Sequence, residues 1–210
     1  MSLFIKLFNF VMYMSSKHII DESHALSHSM DVLRISHDIY NVEVLKNPVL
    51  REHERIIYIS AILHDMCDKK YMTETDGIIE ICEFLEDKID ENEIDIIKKI
   101  ISTMSYSTVK KNGFPEMGDY QNAYHIVREA DLLSAYDFDR CMVYHMYKQN
   151  PDIEDAFHVA NILFENRIFR HNEDRLFTTD YAKQQSIILH TSAIKQIYSW
   201  KTLLKSPKFI

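Results

Sequence analysis

The sequence predicts an all-α protein, a single helical bundle built around one buried central helix. Three observations predict it. Glycine and proline number 3 and 4 in 210 residues, too few for the frequent tight turns of a sandwich or barrel. Apolar residues recur at helical spacing along most of the chain. One run, IIYISAILHDM at 56–66, is apolar on nearly all sides, as expected of a helix surrounded by others. Hydrophobic residues at 46% and charged residues at 27% supply a core and place the chain outside the disordered class.

The elements follow in order. The opening MSLFIKLFNFVMYM is broken by Lys6 and Asn9 and is shorter than the roughly 20 residues that span a bilayer. No small-residue cleavage site follows it. It reads as an amphipathic first helix over 1–20 that packs on the body. Asp21 or Ser23 is expected to cap a second helix running to about Tyr40. Pro48 marks the next break, and the central helix at 56–66 follows. After the loop CDKKYM, Thr73 begins a helix with Asp76 at capping-box spacing. Asp90 and Glu93 start another, whose Ile94, Ile97, Ile101 and Met104 lie on one face. The stretch 107–119 holds two of the three glycines and reads as the longest loop. Helix is expected from Tyr120 toward Asn150, then a helix with Pro151 first and Asn150 as its cap. A last helix covers 179–205. No internal repeat or low-complexity tract interrupts the chain, which reads as one domain over 1–210.

Composition bounds the function. A net charge of -8 argues against duplex nucleic acid as a partner, because neutralising phosphates needs clustered Lys and Arg. A small phosphorylated molecule is compatible, since a metal ion can supply the positive charge locally. Cys67, Cys82 and Cys141 are odd in number and far apart, as in reduced, cytoplasmic chains. No membrane partner is expected, and the oligomeric state stays open.

Eleven histidines are scattered along the chain, and a lone helical histidine is ordinarily a surface or satisfied core residue. The segment AILHDMCD departs from that rule. Its His64-Asp65 pair closes the most buried helix, where an ionised Asp costs on the order of several kcal/mol unless it is paired or metal-bound. Neighbouring helical residues point about 100° apart, so the pair converges on one ion only at a helix end or distortion. Upstream, His24 and His28 are spaced to share a helical face. Downstream, Asp131 lies in the apolar stretch READLLSA. Two imidazoles and two carboxylates suit a divalent cation and leave positions for water and substrate. Mn, Mg, Co, Fe, Ni and Zn are all admitted by that donor set. His37-Asp38 is a second His-Asp dipeptide in less apolar surroundings, and it reads as solvated or capping. His53 is the first of the remaining histidines to reconsider.

At this point the chain resembles the HD superfamily of metal-dependent phosphohydrolases, whose pattern is a His, a His-Asp pair and a distant Asp on helices. Here these are His28, His64-Asp65 and Asp131, which the resemblance implies hold one divalent metal ion. The similarity is closer to a bacterial subgroup with a Ser-His-Asp-x-x-His first motif, here Ser23-His24-Ala25-Leu26-Ser27-His28. The subgroup's Leu-His-Asp-x-x-Asp-x-Lys motif is matched in full by Leu63 to Lys70. Its Ile-Ser-aromatic-Ser segment looks like Met104-Ser105-Tyr106-Ser107, and its closing helix looks like LFTTDYAKQQSIILH. The chain departs from the subgroup at Ala25, Leu132 and Ser134, where Asp, Arg and Asp are usual.

What the resemblance implies is an HD-domain hydrolase of a small phosphorylated substrate. A nucleotide is expected, with release of pyrophosphate or phosphate from a nucleoside triphosphate. Asp68 would orient or deprotonate the attacking water, Lys70 would bind phosphate, and His24 would contact phosphate or act as an acid. Ser105 and Tyr106 would line the substrate pocket. For Lys70 the plainer alternative is a solvated loop lysine; for His24 it is a partner that orients a ligand. Two other readings keep the fold: a non-catalytic HD-domain ligand sensor, and a dinuclear-iron HD oxygenase, which needs further His or Asp ligands.

Overall fold

Side-chain caps and buried apolar stripes fix the helices. The computed structural model describes residues 2–149 and 151–205. Among them lie ten α-helices and no strand. No helix among the described residues is long and apolar enough to cross a membrane. The chain forms two compact units, Met1–Asp131 and Leu132–Ile210.

The first unit contains α1 (Leu3–His18), α2 (Leu26–Lys46), α3 (Leu50–Leu63), α4 (Glu74–Leu85), α5 (Glu91–Thr103), α6 (Tyr106–Asn112) and most of α7 (Gln121–Ser134). As the sequence predicts, α1 packs on the body, against α2 and α3. It buries Leu7, Val11 and Met14 and leaves Phe4, Ile5, Met12 and Tyr13 exposed. Helix α3 is the central element and packs on α1, α2 and α5. All of Ile56, Ile57, Ile59, Ala61, Ile62 and Leu63 are buried, and each such isoleucine contributes about 1.5–3 kcal/mol. Thr73 caps α4 by accepting from Asp76 N, and Asp90 caps α5 by accepting from Glu93 N, both at the positions read from sequence.

Five expectations need correction here. The central helix spans Leu50–Leu63, not 56–66: it begins just after Pro48 and gives way to a turn at His64. Helix α2 begins at Leu26 with no side-chain cap and runs on to Lys46. Asp21 and Ser23 instead bond each other in the turn before it. His24 therefore lies ahead of the helix, although its ring centroid is still 6.1 Å from that of His28. The expected loop at 107–119 opens with α6, because Ser105 accepts from Thr108 N and caps it. Gly113, at φ 76, ends that helix in a conformation that favours glycine. The long helix expected from Tyr120 breaks after Ser134, because Asp137 caps a new helix, α8 (Phe138–Lys148), by accepting from Arg140 N. Finally, α9 (Ile153–Asn166) is capped by Asp152, which accepts from both Glu154 N and Asp155 N. Pro151 precedes that cap, and Asn150 lies outside the described residues.

In the second unit α8 packs on α9, and α10 (Asp180–Leu204) packs on both. Phe138, fully buried, sits edge-on to Phe164 at 5.1 Å between ring centroids. Thr179 caps α10 as expected, accepting from Ala182 N.

Two backbone features carry predictions. Helix α1 ends at Ile19, held at φ 53 with its side chain 81% exposed. A β-branched residue is strained there and loses little burial. Ile19→Gly should therefore stabilise the chain by about 1 kcal/mol in urea denaturation. Gly77 lies on α4 against the turn that follows His64-Asp65. A Cβ at this position would come within 2.6 Å of Cys67 Cα and 2.8 Å of Met72 Sδ. Gly77→Ala should cost about 1–3 kcal/mol in the same assay.

Candidate metal centre

Three elements deliver the four candidate ligands. His28 sits in the first turn of α2. His64 and Asp65 follow the last residue of α3, where the chain tightens: Met66 N donates to Leu63 O at 2.9 Å and Asp68 N to Asp65 O at 3.2 Å. That helix end lets two neighbouring side chains turn toward one point. Asp131 comes from α7, close to its C-terminus.

The donor atoms converge. His28 Nε2 and His64 Nε2 are 3.1 Å apart. Asp65 Oδ2 is 3.1 Å from His28 Nε2, and Asp65 Oδ1 is 3.4 Å from His64 Nε2. Asp131 Oδ1 lies 3.5 Å from His28 Nε2 and 3.7 Å from His64 Nε2. Ligands about 2.1 Å from a common cation stand about 3.0–3.4 Å apart at octahedral to tetrahedral angles, so the separations among His28, His64 and Asp65 fit one ion, and those to Asp131 run slightly longer. The group His28, His64 and Asp65 satisfies the distances of a metal set.

Two further observations fit a cation. Asp65 Oδ2 is sealed from water, with His28 Nε2 3.1 Å away but no well-aligned hydrogen bond. His64 Nδ1 lies 2.9 Å from Ala61 O. Only an Nδ1–H can bond a carbonyl, so in the neutral ring Nε2 keeps a free lone pair facing the other donors. The imidazoles are almost sealed, at 1% and 3% exposure, while Asp131 is 28% exposed and marks the open side.

Electrostatics are strongly coupled. Burial pushes both carboxyls up, but the imidazoles of His28 and His64 outweigh it and hold Asp65 and Asp131 well below the usual carboxylate range. Burial works against charge on His64, yet Asp65 and Asp131 overcome it and the imidazole is pushed up to about 9.

Beside this centre lies a hydrogen-bonded chain that the sequence did not reveal. Ser23 Oγ and Tyr71 Oη both donate to the Asp21 carboxylate, the tyrosine at 2.6 Å. The same two oxygens lie 2.6 and 3.0 Å from His24 Nδ1. With their protons committed to Asp21, they accept from His24 Nδ1–H. His24 Nε2 is then the acceptor for Lys70 Nζ, at 2.8 Å. Lys70 Nζ also pairs with Asp68 Oδ2 at 3.3 Å, and Asp68 Oδ1 accepts from Lys70 N. His24, Asp68 and Lys70 thus stand together. The spacing of Asp21 and Ser23 signals a side-chain turn as readily as a cap, whereas nothing in the sequence marks Tyr71.

Ser105 and Tyr106 lie at the start of α6. The Ser105 hydroxyl caps that helix and lies 2.7 Å from Thr108 Oγ1, and the half-buried Tyr106 ring carries Lys110 Nζ at 6.0 Å. His37 is exposed, with Nδ1 2.7 Å from the Tyr58 hydroxyl and Nε2 2.9 Å from Asn41 Nδ2. His53 is buried against the Tyr120 ring.

No family model matches the sequence, and no curated protein does. A crystal structure of a structural-genomics target from Lactobacillus plantarum matches with a TM-score of 0.68. It covers 95% of each chain at 17% sequence identity. At that identity the likeness is one of fold alone.

A cation at this centre would require a neutral His64, whose imidazole the two carboxylates push up to about 9. Each cation bound near neutrality must displace the His64 proton, so apparent affinity for Mn²⁺ should rise about tenfold per pH unit from pH 7 and level off near pH 9. Calorimetric titrations across this range measure the slope.

Proposed function

We propose that the chain is a metal-dependent phosphohydrolase of the HD type, acting on a small phosphorylated substrate, with nucleotides as the substrate class. The observation that carries this reading is the convergence of the His28, His64 and Asp65 donor atoms within 3.1–3.4 Å, with Asp131 Oδ1 3.5 and 3.7 Å from the two imidazole nitrogens. His28, His64, Asp65 and Asp131 hold one divalent ion, which supplies Lewis acidity toward a phosphoryl oxygen and toward water.

The neighbouring residues supply the rest. Lys70, held between His24 and Asp68, presents a point positive charge to a phosphate oxygen. Asp68 accepts a proton from the attacking water as its oxygen bonds to phosphorus and the bond to the leaving group breaks. His24 spends its Nε2 lone pair on Lys70 and acts as a positioning residue. The acidic surface supports a small substrate over duplex nucleic acid.

The test is release of phosphate and pyrophosphate from a panel of nucleoside triphosphates with Mn²⁺, Co²⁺ or Mg²⁺. Turnover is expected only with metal. His64→Ala and Asp65→Ala should each lose the bound ion by elemental analysis and lower kcat/KM by about two orders of magnitude or more. Lys70→Ala should raise KM. Retention of metal and turnover by both ligand variants would falsify the reading; metal binding without turnover on any phosphorylated substrate would favour a ligand sensor.

A further inference from the structure

Arg128 stands one turn before Asp131 on α7, and its side chain is 1% exposed. Nη2 donates to Glu129 Oε1 at 3.0 Å and lies 3.4 Å from His125 Nδ1. Nε and Nη1 are buried and have no hydrogen-bond partner. Three of the guanidinium's five N–H donors belong to those two nitrogens. Glu129, itself fully buried, offsets the charge but leaves these donors unmade. A buried cation in that condition is costly, and a structural ion pair gains nothing from it.

A partly exposed ring lies over the guanidinium. Phe114 lies with its centroid 4.7 Å from Arg128 Cζ and is 39% exposed. It sits on a segment bracketed by Gly113 at φ 76 and Gly118 at φ 58, each with open space where a Cβ would be. Asp131 is close enough to act on Arg128 electrostatically. The unmade donors, one helical turn from a candidate metal ligand, require acceptors that the chain does not provide.

We infer that Arg128 is an oxyanion subsite, in which Nε and Nη1 bind oxygens of a phosphate group while a second phosphate of the same molecule lies at the metal centre. The inference rests on the phosphohydrolase reading and narrows it. The substrate carries at least two phosphates, as in a nucleoside di- or triphosphate, because a monoester cannot occupy both positions. A planar guanidinium gives the paired donors that such an oxyanion takes.

The experiment uses the full chain and inorganic pyrophosphate as probe, with EDTA and separately with Mn²⁺. Pyrophosphate should raise the melting temperature and bind measurably in both conditions. Arg128→Gln should weaken binding about 10- to 100-fold, with Arg128→Lys intermediate, while Mn²⁺ is still bound without comparable loss. With turnover, Arg128→Gln should raise KM for a triphosphate and leave KM for p-nitrophenyl phosphate unaltered; a merely structural residue would move both. Wild-type pyrophosphate affinity in Arg128→Gln overturns the proposal, as does equal loss of Mn²⁺. Should the Gln variant fail to fold, wild-type affinity in Arg128→Lys overturns it instead. The EDTA arm separates the two readings: Arg128-dependent binding there stands even if no metal-dependent turnover exists.

Discussion

The carboxylate of Asp65 governs this structure. It follows the most buried helix, is largely withdrawn from water, and has one oxygen sealed beside His28 Nε2. Ionised carboxylates persist in such places only with positive charge close by. The His64 imidazole supplies part of that charge, and Asp65 and Asp131 hold it up near 9. A divalent cation would supply it in full and release the proton. The first turn of α2, the end of α3 and the last part of α7 are all arranged around that requirement. Gly77 serves it as well, because the close seating of α4 fixes the turn just beyond Asp65.

Much of this was legible in the sequence, for identifiable reasons. The apolar run of α3 has no polar face, so its burial follows from composition alone. Thr73, Asp90 and Thr179 were readable as caps because each stands just before a periodic apolar segment. His64, Asp65 and Asp131 stood out as costly residues in apolar runs, and the resemblance to the HD pattern joined His28 to them. The failures have equally local causes. Asp21 and Ser23 have the chemistry of caps, but their side chains bond each other and His24, so the helix waits until Leu26. Asp137 was overlooked because neither glycine nor proline marks the break between α7 and α8; one carboxylate accepting from Arg140 N makes it. Tyr71 and Arg128 depend on contacts far away in sequence or on burial, and no spacing rule reports either.

The chain from Asp21 through His24 to Lys70 has a consequence for recognition. A free lysine side chain carries rotamer entropy on the order of 1.5–2 kcal/mol. Lys70 is tied at Nζ by His24 and Asp68 and at its backbone by Asp68. That entropy is surrendered when the chain folds, so a ligand meeting Lys70 finds an ammonium already in place. A phosphate bound here would therefore owe less ordering entropy than one captured by a free lysine.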